Sequence, residues 1–120
     1  MCAELSLIEA MQATNIKTLV FSSSATVYGV PQYLPCDEDH PTNPSNPYGN
    51  TKLQAEKILS DLVQSDKGWS IASLRYFNPA GAHESGLIGE SPAGVPNNLM
   101  PYISQVAAGM LPQLKIFGKD

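Results

Sequence analysis

Hydrophobic positions along the chain switch between a helical rhythm and short apolar runs. Leu5, Ile8 and Met11, joined by Leu7, form a stripe that predicts an amphipathic helix over 3–13, ended by Asn15. Lys17 to Ser22 follows as an apolar run of the kind found in strands covered on both faces. Between Gly29 and Pro47, the prolines 31, 35, 41, 44 and 47 exclude a helix or a central strand and predict a loop. A second stripe, Ala55, Ile58, Leu59, Leu62 and Val63, predicts a helix from Pro47 to about Gln64, with Asn46 as N-cap and Pro47 as first helical residue. Gly68 marks a turn, and Trp69 to Phe77, with Ile71, Leu74 and Tyr76, reads as a second buried strand. Asn97 and Asn98 cap a predicted helix running to about Met110, with Leu99, Ile103, Val106 and Met110 on one face and Pro101 in its first turn. A short strand is expected over 114–117.

Helix, strand, helix, strand is the alternation of an α/β fold, a doubly wound parallel sheet with right-handed crossovers. The first helix and strand read as half of a βαβ unit. The stretch 78–97 carries glycines and prolines without periodicity, as functional or disordered loops do.

Composition narrows the function. A chain of 120 residues is enough for about one small domain. Its net charge of -4 and pI near 5.0 argue against nucleic-acid binding, and Arg75 is its only arginine. No apolar run approaches the ~20 residues that span a bilayer, and Met-Cys-Ala-Glu does not open like a signal peptide. No membrane partner and a cytoplasmic location are expected. Cys2 and Cys36 read as free thiols, and His40 and His83 as structural or exposed residues; no metal site is expected.

The candidate chemistry lies between Ser22 and Lys52. Ser22-Ser23-Ser24 follows directly on Leu19-Val20-Phe21, at a strand's carboxyl end, where open α/β sheets place their ligands. Tyr48 and Lys52, four apart at the start of a helix, share a face. A cation about 4 Å from a phenol favours tyrosinate by roughly 4 kcal/mol at an effective dielectric of ~20, which makes a base usable near neutrality. The spacing alone is a weak signal; the Asn46-Pro47 helix start and the neighbouring serine strengthen it.

Four longer motifs carry a resemblance: Phe21-Ser-Ser-Ser-Ala-Thr-Val-Tyr-Gly29, Asn46-Pro-Tyr-Gly-Asn-Thr-Lys52, Leu74-Arg-Tyr-Phe-Asn-Pro-Ala-Gly-Ala-His83 and Gly94-Val-Pro-Asn-Asn-Leu-Met-Pro-Tyr102. Together they resemble the UDP-glucose 4-epimerase branch of the extended short-chain dehydrogenase/reductase family. The resemblance implies NAD-dependent interconversion of UDP-glucose and UDP-galactose through reversible oxidation at sugar C4. It implies Tyr48 as the base, Lys52 as the residue that activates it and bonds the nicotinamide ribose, and Ser24 as a partner of the sugar oxygen that helps relay the proton. Ser22, Ser24, Tyr48, Lys52, Tyr76 and Phe77 would meet the cofactor. Ser24, Ala25, Thr26, Tyr48, Tyr76, Phe77 and Asn78 would line the sugar; Asn97, Asn98 and Leu99 would hold the diphosphate, and Lys115, Ile116 and Phe117 would form a strand flanking uracil. It also implies a homodimer through the helices over 3–13 and 47–64. The segment Ala25-Thr26 holds no acidic pair, which argues against the related dehydratases.

By the same resemblance, residues 1–78 are part of an NAD-binding Rossmann-like domain and 79–120 the start of a UDP-sugar-binding region. The family's glycine-rich turn for the dinucleotide pyrophosphate is not found, since Gly81, Gly86 and Gly89 have the wrong spacing. The chain therefore reads as the middle of such an enzyme, a partial sheet without the first strands or the C-terminal substrate region, and it is expected to be inactive alone. The alternatives are an epimerase of another UDP-sugar (N-acetylated, pentose or uronic acid) and a non-catalytic truncated product.

Overall fold

The computed structural model describes residues 2–90, 93–96 and 98–118. The chain divides into two compact units, Met1–Phe77 and Asn78–Asp120.

In the first unit, helix α1 (Cys2–Ala13) ends where Asn15 takes a left-handed conformation, φ 55°, and the Ile16 N–H bonds the Met11 carbonyl at 2.9 Å. Strand β1 (Thr18–Ser22) leads into a 3-10 turn over Ala25–Val27. Helix α2 (Pro47–Ser65) then crosses over to strand β2 (Ser70–Leu74). The strands pair in parallel, Thr18 opposite Ser70 and Ser22 opposite Leu74, which requires such a crossover. Helix α2 starts as the sequence predicts: Asn46 is extended, its Oδ1 accepts the Gly49 N–H at 2.7 Å, and Pro47 occupies the first turn. At its other end Asp66 accepts from Lys17 Nζ and from the Gly68 N–H, each at 2.8 Å.

Ile8, Met11, Leu59 and Trp69 form the buried cluster, with Leu19, Phe21, Ile58, Leu62, Val63 and Ile71 packed against it. The stripe on α1 is narrower than its sequence suggests, since Leu5 and Leu7 are about half exposed. Strand β2 is shorter than the expected 69–77 because β1 turns away at Ser23. The Ser23 and Ala25 N–H groups still bond the Leu74 and Tyr76 carbonyls, at 2.9 and 2.8 Å.

In the second unit, helix α3 (Leu99–Ala107) falls short of the expected Met110. Gly109 takes φ 70°, and the Met110 N–H closes onto the Gln105 carbonyl at 2.8 Å, a glycine-terminated helix end. The strand expected over 114–117 is not formed. A strand is stabilised by a paired neighbour, and the sheet among the described residues consists of β1 and β2 alone. Among the described residues, no helix is long and apolar enough to cross a membrane, and no three metal-ligating side chains converge.

Candidate active site

Two close approaches build the site. Gly29 has φ +68°, and a Cβ there would fall 1.9 Å from the Asn43 carbonyl oxygen, so the loop over 29–47 folds back only over a glycine. A Cβ on Gly49 would meet the Thr26 carbonyl oxygen at 2.7 Å and Pro44 Cβ at 2.9 Å. The bare glycine therefore lets the first turn of α2, which carries Tyr48, lie against the 3-10 turn that follows Ser24.

Ser24 is extended and caps that turn. Its Oγ accepts from the Thr26 N–H at 3.2 Å and from Thr26 Oγ1 at 2.9 Å. Tyr48 is 55% exposed. One turn along α2, Lys52 Nζ donates to the Ser22 carbonyl at 2.8 Å and lies 5.1 Å from the Phe21 ring centroid and 5.7 Å from that of Tyr48. The ammonium is thus anchored on the end of β1 beside the Tyr48 ring. An ammonium has three donors, and the Ser22 carbonyl takes one.

Beneath these groups lies an ion pair that the sequence reading did not single out. Arg75 Nε bonds both Glu56 carboxylate oxygens, at 3.1 and 3.2 Å, and its NH2 bonds Oε2 at 2.8 Å. Ser23 donates its hydroxyl to Oε1 of the same carboxylate. Burial pushes the Glu56 carboxyl up, but the bonds from Arg75 and Ser23 more than reverse this and hold it below its ordinary range. The Arg75 guanidinium is raised in turn, first by the bonds it donates to Glu56. One carboxylate on α2 thereby fixes the residue before Ser24 and the residue before Tyr76. Spacing held a hint: Glu56 lies four residues after Lys52 and eight after Tyr48, on the same helical face.

The Arg75 guanidinium also lies 4.9 Å from the Tyr28 ring centroid, and Phe77 stacks on the same ring at 6.2 Å. Tyr28, Arg75, Tyr76 and Phe77 border an open groove of about 520 Å³. His40 is buried and serves the loop: its Nε2 accepts the Gln32 N–H at 3.0 Å, and its Nδ1 lies 2.8 Å from the Pro41 carbonyl. A carbonyl only accepts, so Nδ1 carries the proton. His83 is exposed.

Among the expected site residues of the first unit, Lys52 joins Ser22 and lies over the Tyr48 ring, Ser24 joins Thr26, the Ala25 N–H bonds the Tyr76 carbonyl, and Phe77 stacks on Tyr28. In the second unit, Leu99, Lys115 and Phe117 border an open hollow of about 630 Å³ with Tyr102, and Leu99, Ile116 and Phe117 are all exposed. Asn98 caps α3 by its backbone and makes no side-chain capping bond. Asn78 is exposed, and Asn97 lies outside the described residues.

Known proteins resemble this arrangement. A UDP-glucose 4-epimerase of Bacillus subtilis is 61% identical over 114 residues, covering 95% of this chain and 34% of the relative. A human UDP-glucose 4-epimerase is 61% identical over 115 residues, covering 95% of this chain and 33% of the relative. The crystal structure of a Bifidobacterium longum UDP-glucose 4-epimerase in complex with NAD+ and UDP superposes with a TM-score of 0.80 at 54% identity, covering 90% of this chain and 32% of that one. The chain spans about a third of the length of the curated relatives it matches. With a paired βαβ core, a Tyr48–Lys52 helix bonded to the Ser22 carbonyl at the end of β1, and a family model matching residues 2–120, the chain belongs to the NAD dependent epimerase/dehydratase family.

Proposed function

We propose that this chain supplies the catalytic centre of a UDP-glucose 4-epimerase, interconverting UDP-glucose and UDP-galactose by reversible oxidation at C4. The observation that supports the reading is the packing of the first turn of α2 on the Thr26 carbonyl over Gly49, together with the Lys52 bond to the Ser22 carbonyl. Tyr48 takes the proton of the sugar 4-hydroxyl, with the Lys52 ammonium 5.7 Å from its ring centroid. Ser24 bonds the sugar oxygen, with Ala25, Thr26 and Asn78 close to the sugar. NAD, when bound, would supply the acceptor and donor of the C4 hydride.

The residues in hand fit the nicotinamide end of that cofactor. Lys52 keeps donors beyond its Ser22 bond for the ribose, and Tyr76 and Phe77 offer exposed rings. The pyrophosphate cradle is a glycine-rich turn that this sequence does not hold. In the second unit, Asn97, Asn98, Leu99 and the start of α3 suit a diphosphate, since the N-terminal N–H groups of a helix favour an anion. Lys115, Ile116 and Phe117 suit the uridine end, supported by the open hollow that Lys115 and Phe117 border with Leu99. The reading places the enzyme in the cytoplasm as a two-fold dimer through α1 and α2, supported by the exposed Leu5 and Leu7 on α1; a single-protomer mass by light scattering counts against the dimer.

A graft tests the proposal: this chain replaces the aligned segment of the Bacillus subtilis relative, and conversion of UDP-galactose is followed in a coupled assay. Turnover is expected, with a loss of about 100-fold or more in Tyr48→Phe, which keeps the ring and removes only the ionisable oxygen. Full activity in that variant refutes the assignment.

A further inference from the structure

The peptide that joins Ser22 to Ser23 is held from several sides. Its carbonyl, that of Ser22, accepts Lys52 Nζ at 2.8 Å, and its N–H, that of Ser23, bonds the Leu74 carbonyl of β2 at 2.9 Å. The buried Ser23 side chain donates to the Glu56 carboxylate. That direction is fixed, because a carboxylate paired with a guanidinium has no proton to give. The ring then closes, since Glu56 also accepts from Arg75, the residue after Leu74. Lys52 and Glu56, one turn apart on α2, therefore reach two consecutive residues at the end of β1, while the Arg75 fork locks the same carboxylate to the end of β2.

We propose that Glu56 is a positioning residue for Lys52: through the Ser23 hydroxyl it fixes the carbonyl on which the ammonium is anchored. This rests on the epimerase reading above only in that Lys52 serves the reaction. A lysine is a compact charge on a flexible four-carbon stem, so its place is set by what it bonds. Its anchor here lies at a weak point of the sheet, because β1 ends at Ser22 and the chain turns away at Ser23. Rotation of the Ser22–Ser23 peptide would swing the carbonyl aside and carry the ammonium with it, and the Ser23 bond to Glu56 resists that rotation. The Glu56 side chain is 9% exposed, which leaves it little surface to offer a ligand; its influence passes through Ser23. A carboxylate that only pinned helix to sheet would need Arg75 and not Ser23. The two roles part at the serine hydroxyl.

Ser23→Ala in the graft tests this, since it cuts the link and leaves the Glu56–Arg75 pair in place. The variant is expected to lower kcat about tenfold with KM within about twofold, the scale of one hydrogen bond. Reductive methylation with formaldehyde, read by mass spectrometry well below the melt, reports the anchor directly: Lys52 should be modified about fivefold faster than in the parent, relative to the exposed Lys57 on the same helix. Glu56→Gln should move both readouts the same way. Asp66→Asn, which loosens the other end of α2 by weakening the bonds from Lys17 and Gly68, should leave both within about twofold. Unchanged Lys52 labelling or unchanged kcat in Ser23→Ala, or an equal change in Asp66→Asn, overturns the proposal. The labelling needs no turnover, so it decides the clamp even where an inactive graft overturns the epimerase reading.

Discussion

Replacing Arg75 by methionine keeps an aliphatic stem over Tyr28 and removes the guanidinium from Glu56. The Glu56 side chain is 9% exposed and that of Arg75 23%, so the variant leaves a nearly buried carboxylate with the Ser23 hydroxyl as its remaining bond. Breaking a buried pair from one side costs about 3–5 kcal/mol; the partial exposure of Arg75 places this case near 3 kcal/mol. The double variant Glu56→Met/Arg75→Met removes both charges together and should cost less than Arg75→Met alone. The pH dependence carries the sharper test. In the parent, Glu56 is held below its ordinary range, so its ionisation adds stability that is complete above the unfolded value of ~4.3 and is lost as pH falls through the lower folded value. Without Arg75, burial becomes the leading influence and the sign reverses: the carboxylate destabilises the fold above ~4.3, and acidification relieves it. Thermal melts of the graft from pH 7 downward should show a deficit of about 6 °C or more at neutrality that narrows with acid. A melt within about 1 °C of the parent at pH 7, or a deficit that widens with acid, refutes the reasoning.

Gly49→Ala sets a methyl 2.7 Å from the Thr26 carbonyl oxygen, and the forced separation of α2 from the 3-10 turn should cost about 1–3 kcal/mol and lower kcat; an unchanged melt and unchanged kcat contradict the docking argument. The 120-residue chain by itself should show no micromolar NAD binding by calorimetry and no turnover, because orienting the reactants accounts for ~7–11 kcal/mol in well-oriented systems and nothing in this sequence fixes the pyrophosphate; tight binding shows that argument to be wrong.

Much of the frame was legible because its signals are local. Asn46 and Pro47 announce the start of α2, and Asn15 marks the end of α1. The bounds of β2 and α3 were not, since β2 ends where its partner turns away at Ser23, and α3 ends on the conformation of Gly109. The residues over 114–117 carry a strand-like pattern, but a strand requires a partner that the pattern does not supply. For the proposed site, Tyr48, Lys52 and Ser24 were candidates from spacing and motif. Glu56 shares the Tyr48–Lys52 face, but its pairing with Arg75 could not be read, because the partners lie 19 residues apart, one on α2 and one just past β2, and a charge on a helix ordinarily reads as solvated. The docking of Lys52 on a backbone carbonyl likewise has no sequence signature.

The central proposal is that residues of this chain direct removal and return of hydride at sugar C4. UDP-galactose carrying deuterium at C4, converted by the graft and followed by NMR, tests it most directly. The account predicts UDP-glucose with the deuterium retained at C4 and the configuration inverted. Exchange of the label with solvent, or no conversion by a folded graft that holds NAD, would contradict it.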